Sequence, residues 1–159
     1  MVTVKLICVG RLKEPFYEAA CAEYEKRLRP FCRLEIIELP ECRKGTDPSP
    51  AEVAAALDKE AEAIARALPK QARLCALCVE GESTDSPGFA RLLAEAAEKA
   101  GSVCFVIGSS DGLSQKIKDR ADKRLSMSKM TFPHHLARVM LLEQLYRGFQ
   151  ILNGGKYHK

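Results

Sequence analysis

The stretch Val103–His135, VCFVIGSSDGLSQKIKDRADKRLSMSKMTFPHH, decides how this chain is read. It holds two apolar, strand-like runs, each released into a polar turn. Val103–Ile107 is a run of β-formers that stops at Gly108, and Arg124–Ser128 is a second run that opens into Lys129-Met130-Thr131-Phe132-Pro133. In an open α/β sheet, ligands sit where the chain leaves the carboxyl ends of the strands. Two such loops in succession predict one pocket built from both.

Outward from this stretch the same grammar repeats. Val2–Val9 is an apolar β-branched run stopped by Gly10, and Pro15–Leu28 carries apolar or small residues at helical spacing (Phe16, Ala19, Ala20, Tyr24, Leu28) until Pro30. Cys32–Leu39 reads as a second strand. Pro40–Pro50, with three prolines, a glycine and several charges, predicts a mobile surface loop with little part in function. Ala51–Leu68 is an alanine-rich helix closed by Pro69, Arg73–Val79 a third strand, and Gly81–Gly88 its loop. Ser86-Pro87 opens a further helix that ends at a glycine cap, Gly101, and Ser114–Ala121 is a short helical piece. Strands alternating with helices predict an α/β fold on an open, mostly parallel sheet.

The last element, His134–Leu152, differs from the others. Its apolar residues nearly encircle it, from Leu136 and Val139 through Leu145 and Phe149 to Leu152. One stripe suffices to cover a sheet, so this helix is expected to have two apolar partners. Either the second is the same helix of another subunit, across a twofold interface, or the helix is buried centrally within one chain.

Composition sets the frame. A chain of 159 residues with 47% hydrophobic and 29% charged content suits one folded domain spanning 1–159. The start lacks the pattern of a signal peptide and no stretch is apolar enough for long enough to cross a bilayer, so a cytoplasmic location is expected. Seven cysteines, most inside apolar runs, read as reduced core residues. In the one close pair, Cys75 and Cys78, side chains three apart on a strand point to opposite faces, so no shared metal is expected. The net charge of +4 is unevenly spread, with ten Lys or Arg against three Asp or Glu from Gln115 to Lys159 and fifteen against eighteen elsewhere. That asymmetry fits either a polyanion partner at the C-terminal part or a solvated basic face.

The motifs carry the chemistry. Gly108-Ser109-Ser110-Asp111-Gly112 is neither a dinucleotide fingerprint nor a P-loop, yet it offers backbone groups without bulk to a flat ring or a ribose. Met127 and Met130 supply soft thioethers that either border a ligand or pack in the core. His134 and His135 stand at a helix start, where the dipole disfavours a charged imidazole, and one is expected to bond in the cap region. Glu143 and Arg147 are spaced as a helix ion pair. Gly154-Gly155-Lys156-Tyr157-His158-Lys159 is a flexible hinge bearing a basic tail, either frayed or delivered to a partner's pocket.

Four segments together resemble a known family. They are Phe105–Gly108 with Gly112-Leu113, Leu125–His134, Glu143–Arg147 and the terminal Tyr157-His158-Lys159, supported by Val9–Glu14 and Tyr24–Leu28. The chain is similar to the RlmH (YbeA-type) family, SPOUT methyltransferases that act on a pseudouridine of large-subunit ribosomal RNA. The resemblance covers nearly the whole chain. It implies helices on both faces of the sheet, a C-terminal trefoil knot, a homodimer, and S-adenosylmethionine as methyl donor. By position, Leu77, Gly108, Met127, Ser128, Lys129, Met130, Thr131 and Phe132 would line the donor site. Glu143, Arg147, Tyr157, His158 and Lys159 would form the RNA side, the tail reaching across the dimer. One departure is Ser109, where the family commonly has a second glycine. A positive φ there would strain the serine.

The implied chemistry needs the acceptor nitrogen in line with the methyl group and relieved of its proton. His158 is the expected base, since an imidazole exchanges protons near neutral pH. Glu143 is the rival base, with Arg147 and Lys159 to stabilise an anion or hold phosphates. Ribose 2′-O methylation and a non-catalytic ribosome-binding factor are the alternatives.

Overall fold

Strand β1 (Val2–Val9) forms because its branched residues fill a site with no polar face, and it pairs in parallel on both sides. The computed structural model describes Met1–Lys159. After β1 come α1 (Pro15–Leu28), β2 (Cys32–Leu39), α2 (Pro50–Ala67), β3 (Arg73–Ser83), α3 (Ser86–Ala100), β4 (Ser102–Ile107), α4 (Gln115–Arg120), β5 (Lys123–Ser126) and α5 (His134–Leu152). The five strands make one sheet in the order β2-β1-β4-β3-β5, every pairing parallel.

Strand alternation divides the core in two. Val4, Leu6, Cys8, Cys75, Val103, Phe105 and Ile107 face α1, α3 and α5, whereas Ile7, Val9, Leu74, Ala76, Cys104 and Val106 face α2 and α4. Helices therefore cover both faces, as parallel sheets require. Five of the seven thiols, at Cys8, Cys21, Cys32, Cys75 and Cys104, are buried, as their apolar settings predict, while Cys42 and Cys78 are half-buried.

Caps set the helix ends. Ser49 accepts from Glu52 N at 3.2 Å and starts α2, Asp85 accepts from Gly88 N at 2.7 Å and starts α3, and Gly101 ends α3 in the left-handed region. On α5, Leu141, Leu142 and Leu145 have no exposed surface. Each buried leucine contributes about 1.5–3 kcal/mol, so this stripe seats α5 on the sheet beside α1 and α3 within one chain. Leu136, Val139 and Met140 stay only half-buried.

The structure departs from the expected elements at three places. Strand β3 runs to Ser83 rather than Val79, because a bulge between Leu77 and Glu82 lets it rejoin β5. Strand β5 ends at Ser126, where the Ser126 hydroxyl donates to Ser128 O at 2.9 Å and turns the chain away. The Pro40–Pro50 loop is tied down rather than loose. Cys42 N donates to Glu60 Oε2 at 2.8 Å, the Ser110 hydroxyl donates to Glu41 Oε1 at 3.0 Å, and Lys44 pairs with Asp111.

Candidate active site

The ends of β3, β4 and β5 open onto one cavity of about 750 Å³. Leu77 comes from β3, Gly108 follows β4, and Met127 with Ser128, Met130, Thr131 and Phe132 follows β5. Seven of the eight residues expected to hold the donor thus line it, and both loops contribute. Lys129 is the exception: it is exposed and absent from the lining. Sequence reasoning missed Cys78, Val79 and Glu80 of β3 and Lys118 of α4, which line the same cavity. Lys118 pairs with Glu80 at the rim, and the ion pair holds that carboxyl below its usual range.

The loop after β4 is a tight turn. Gly112 N donates to Ser109 O at 2.9 Å, and a Cβ at Gly108 would lie 2.2 Å from Gly112 O. No side chain fits at Gly108, so the backbone itself faces the cavity. Ser109 is unstrained, since only glycines in this chain have positive φ.

A second cavity of about 730 Å³ lies on the other side of Met127, which lines both. Its walls include Tyr24, Asp85, Ser86, Glu143, Gln144 and His158. The Ser86 hydroxyl donates to Gln144 Oε1 at 2.8 Å, and Gln144 Nε2 donates to Glu143 Oε2 at 2.7 Å. Glu143 Oε1 accepts from Arg147 Nε at 2.9 Å and from the Tyr157 hydroxyl at 3.1 Å. Glu143 therefore has donors on both oxygens. Burial pushes the Tyr157 phenol up to about 12, helped by its bonds to Tyr24 and Glu143.

The tail reaches this cavity through a specific turn. Gly154 is left-handed at φ 67°, its N–H donates to Ile151 O, and Gly155 N donates to Gln150 O at 2.8 Å. This is a Schellman motif rather than the expected flexible hinge, and it folds the tail back onto its own α5. Tyr157 then stacks edge-on to Tyr146 at 4.8 Å, with the Arg147 guanidinium 4.7 Å from its ring centre. Lys159 stays exposed at the chain end. Of the expected RNA-side residues, Glu143, Arg147, Tyr157 and His158 are brought together. None of them lines the first cavity.

Neither histidine at the start of α5 caps it. Pro133 is the N-cap residue without a side-chain bond, and the Nε2 atoms of His134 and His135 are buried without partners. Burial and the adjacent His135 hold the His134 imidazole below its usual range.

A family profile described as "Predicted SPOUT methyltransferase" matches residues 2–158. The chain belongs to the SPOUT methyltransferase family. "Ribosomal RNA large subunit methyltransferase H" of Streptococcus equi subsp. zooepidemicus is 44% identical over 98% of this chain and 99% of that protein. The protein of the same name from Clostridioides difficile is 38% identical over 99% of this chain and 100% of its own length. Among solved structures, a probable methyltransferase from Bordetella pertussis superposes with a TM-score of 0.59 at 16% identity, covering 93% of this chain and 95% of that one. A probable methylase family protein from Haemophilus influenzae gives 0.57 at 11% identity, over 98% of this chain and 70% of its own. These two share the fold. The chain is thus a SPOUT methyltransferase, and its crossing from β5 to the start of α5 is consistent with the family's knotted path.

Proposed function

We propose that this protein transfers a methyl group from S-adenosylmethionine to N3 of a pseudouridine in large-subunit ribosomal RNA, as a cytoplasmic homodimer acting on assembled ribosomes. The observation that carries the reading is the cavity at the ends of β3, β4 and β5, lined by the two loops after β4 and β5. Its residues suit the donor. Gly108 would offer its backbone to a flat adenosine, and Met127 and Met130 would offer soft, polarisable groups to a sulfur-bearing chain. S-adenosylmethionine, when bound, supplies a methyl carbon on a sulfonium, open to in-line attack.

The protein's own residues handle the acceptor. Both oxygens of Glu143 already accept hydrogen bonds, so it serves to fix Arg147 and Tyr157 rather than to take a proton. Arg147 Nη1 stands 3.3 Å from His158 Nδ1. A guanidinium only donates, so Nδ1 accepts and the lone pair is engaged until Arg147 moves. A carbonyl oxygen of the incoming uracil ring draws Arg147 away and frees that lone pair to take the N3 proton, and the guanidinium then faces the oxygen on which negative charge develops. With that proton on His158, the N3 lone pair would be free to accept the methyl group, and the donor would leave as the neutral thioether.

The homodimer reading rests on α5, whose Leu136 and Met140 are half-buried in one chain. No residue beyond Ala137 lines the donor cavity. On this reading the tail of one subunit, folded on its own α5, serves the donor cavity of the other. The test combines pure protein, labelled S-adenosylmethionine and ribosomes lacking the modification. One methyl per ribosome on a pseudouridine base is expected. Label on a ribose hydroxyl would move the reading to 2′-O methylation, and cofactor binding without transfer would move it to a ribosome-binding factor.

A further inference from the structure

Helix α2 lines neither cavity of the site, yet it holds the loop after β4 at both ends. Near the start of the loop, the Ser109 hydroxyl donates to Glu60 Oε1 at 2.9 Å, both residues being 4% exposed. At the far end the Ser114 hydroxyl donates to Asp58 Oδ1 at 3.4 Å. Between them, Ser110 bonds Glu41 and Asp111 pairs with Lys44, both from the loop that leads into α2. The side chains of Ser109, Ser110 and Asp111 are thus each bonded to this support. The loop's contribution to the ligand is left largely to its backbone.

Glu60 is the centre of this arrangement. It is the only buried carboxylate of the chain, and its second oxygen accepts from Cys42 N at 2.8 Å. A buried carboxylate is costly to desolvate and persists where its hydrogen bonds are satisfied. These two bonds tie α2, the loop after β2 and the loop after β4 into one unit. The Ser109 hydroxyl supplies one of the two donors.

We propose that Glu60 is a positioning residue for the methyl-donor site: through Ser109 it fixes the Gly108–Gly112 backbone against the donor. The inference rests on reading the first cavity as that site. Such a residue governs donor affinity rather than turnover. The conservative variant is informative, because the amide of a glutamine can accept from Cys42 N and donate to the Ser109 oxygen.

The test measures S-adenosylmethionine and S-adenosylhomocysteine binding by calorimetry, with steady-state methyl transfer to ribosomes, for wild type, Glu60→Ala, Glu60→Gln, Ser109→Ala and the double alanine variant. Glu60→Ala is expected to raise the Kd and KM for the donor about tenfold, as the loss of a buried hydrogen bond to a charged group implies, with kcat at saturation within about twofold. Glu60→Gln restores most of the affinity, Ser109→Ala shifts it in the same direction, and the double variant raises the Kd by less than the product of the two single effects, because both changes break the same bond. Should Glu60→Ala fail to fold, Ser109→Ala and Glu60→Gln decide the matter. An unchanged Kd in Ser109→Ala, a glutamine variant as impaired as the alanine one, or a fall in kcat alone would overturn the proposal. Wild-type protein that binds no donor would instead overturn the reading of the cavity.

Discussion

Arg147 Nη1 meets His158 Nδ1 at 3.3 Å, eleven residues on and across the turn at Gly154. The contact fixes the imidazole tautomer, since the guanidinium has no acceptor. It also makes the proposed base dependent on its neighbour. His158→Ala is expected to lower kcat about 100-fold or more, the usual scale for loss of a general base, while donor Kd stays within about twofold. The measurement is single-turnover methyl transfer beside calorimetry. A kcat within threefold of wild type would remove His158 from the chemistry.

The tail's role is tested by mixing subunits. Deletion of Lys156–Lys159 is expected to abolish transfer and spare donor binding. A dimer pairing that deletion with a Gly108→Ala subunit holds one intact donor loop facing one intact tail, if the tail acts across the interface. Recovered activity in the mixture, absent from either parent, is the expected result. No recovery would place tail and donor loop in the same chain.

Gly108→Ala on its own probes the loop geometry. The added methyl would lie 2.2 Å from the backbone oxygen of Gly112, which no rotamer relieves. The loop must open, and donor affinity is expected to fall about tenfold or more, equivalent to about 1.4 kcal/mol. Calorimetry with S-adenosylhomocysteine reads the change. Because both glycines lie at the cavity surface, the protein is expected to remain folded by circular dichroism.

His134 makes stability depend on pH. Burial and the neighbouring His135 lower its pKa from the ordinary 6.5, with Arg138 acting the same way and Glu41 and Glu14 opposing. The native state thus favours the neutral ring. The contribution to stability is complete above 6.5 and is lost as pH falls through the lower native value. Urea midpoints are expected to drop between pH 7.5 and 5.5, and His134→Asn is expected to flatten that drop. Equal losses in the two proteins would assign the effect to other groups.

Much of this was legible in the chain because local signals were strong. Proline and glycine stops bounded β1, α1, β2 and α5 at the residues observed, and alternation placed Cys75 and Cys78 in different settings. Seven of the eight residues expected at the donor site, all but Lys129, line the first cavity, and their positions were legible through resemblance to a known family. What escaped notice depends on tertiary contact. Gly81 reads as a loop start, yet β3 continues past it because β5 supplies partners after a bulge. Glu60 reads as one more solvated charge in an alanine-rich helix. Its signal was its place on the buried stripe of Ala56, Glu60, Ala61 and Ile64. The Gly154-Gly155 pair reads as a hinge, but the turn it makes is set by the carbonyls of Gln150 and Ile151.

The central claim is tested most directly by nucleoside mass spectrometry of large-subunit ribosomal RNA from a strain lacking this gene. The expected result is the loss of one methylated pseudouridine, restored by the wild-type gene and not by the His158→Ala variant. An unchanged methyl-pseudouridine content, with or without the gene, would contradict the account.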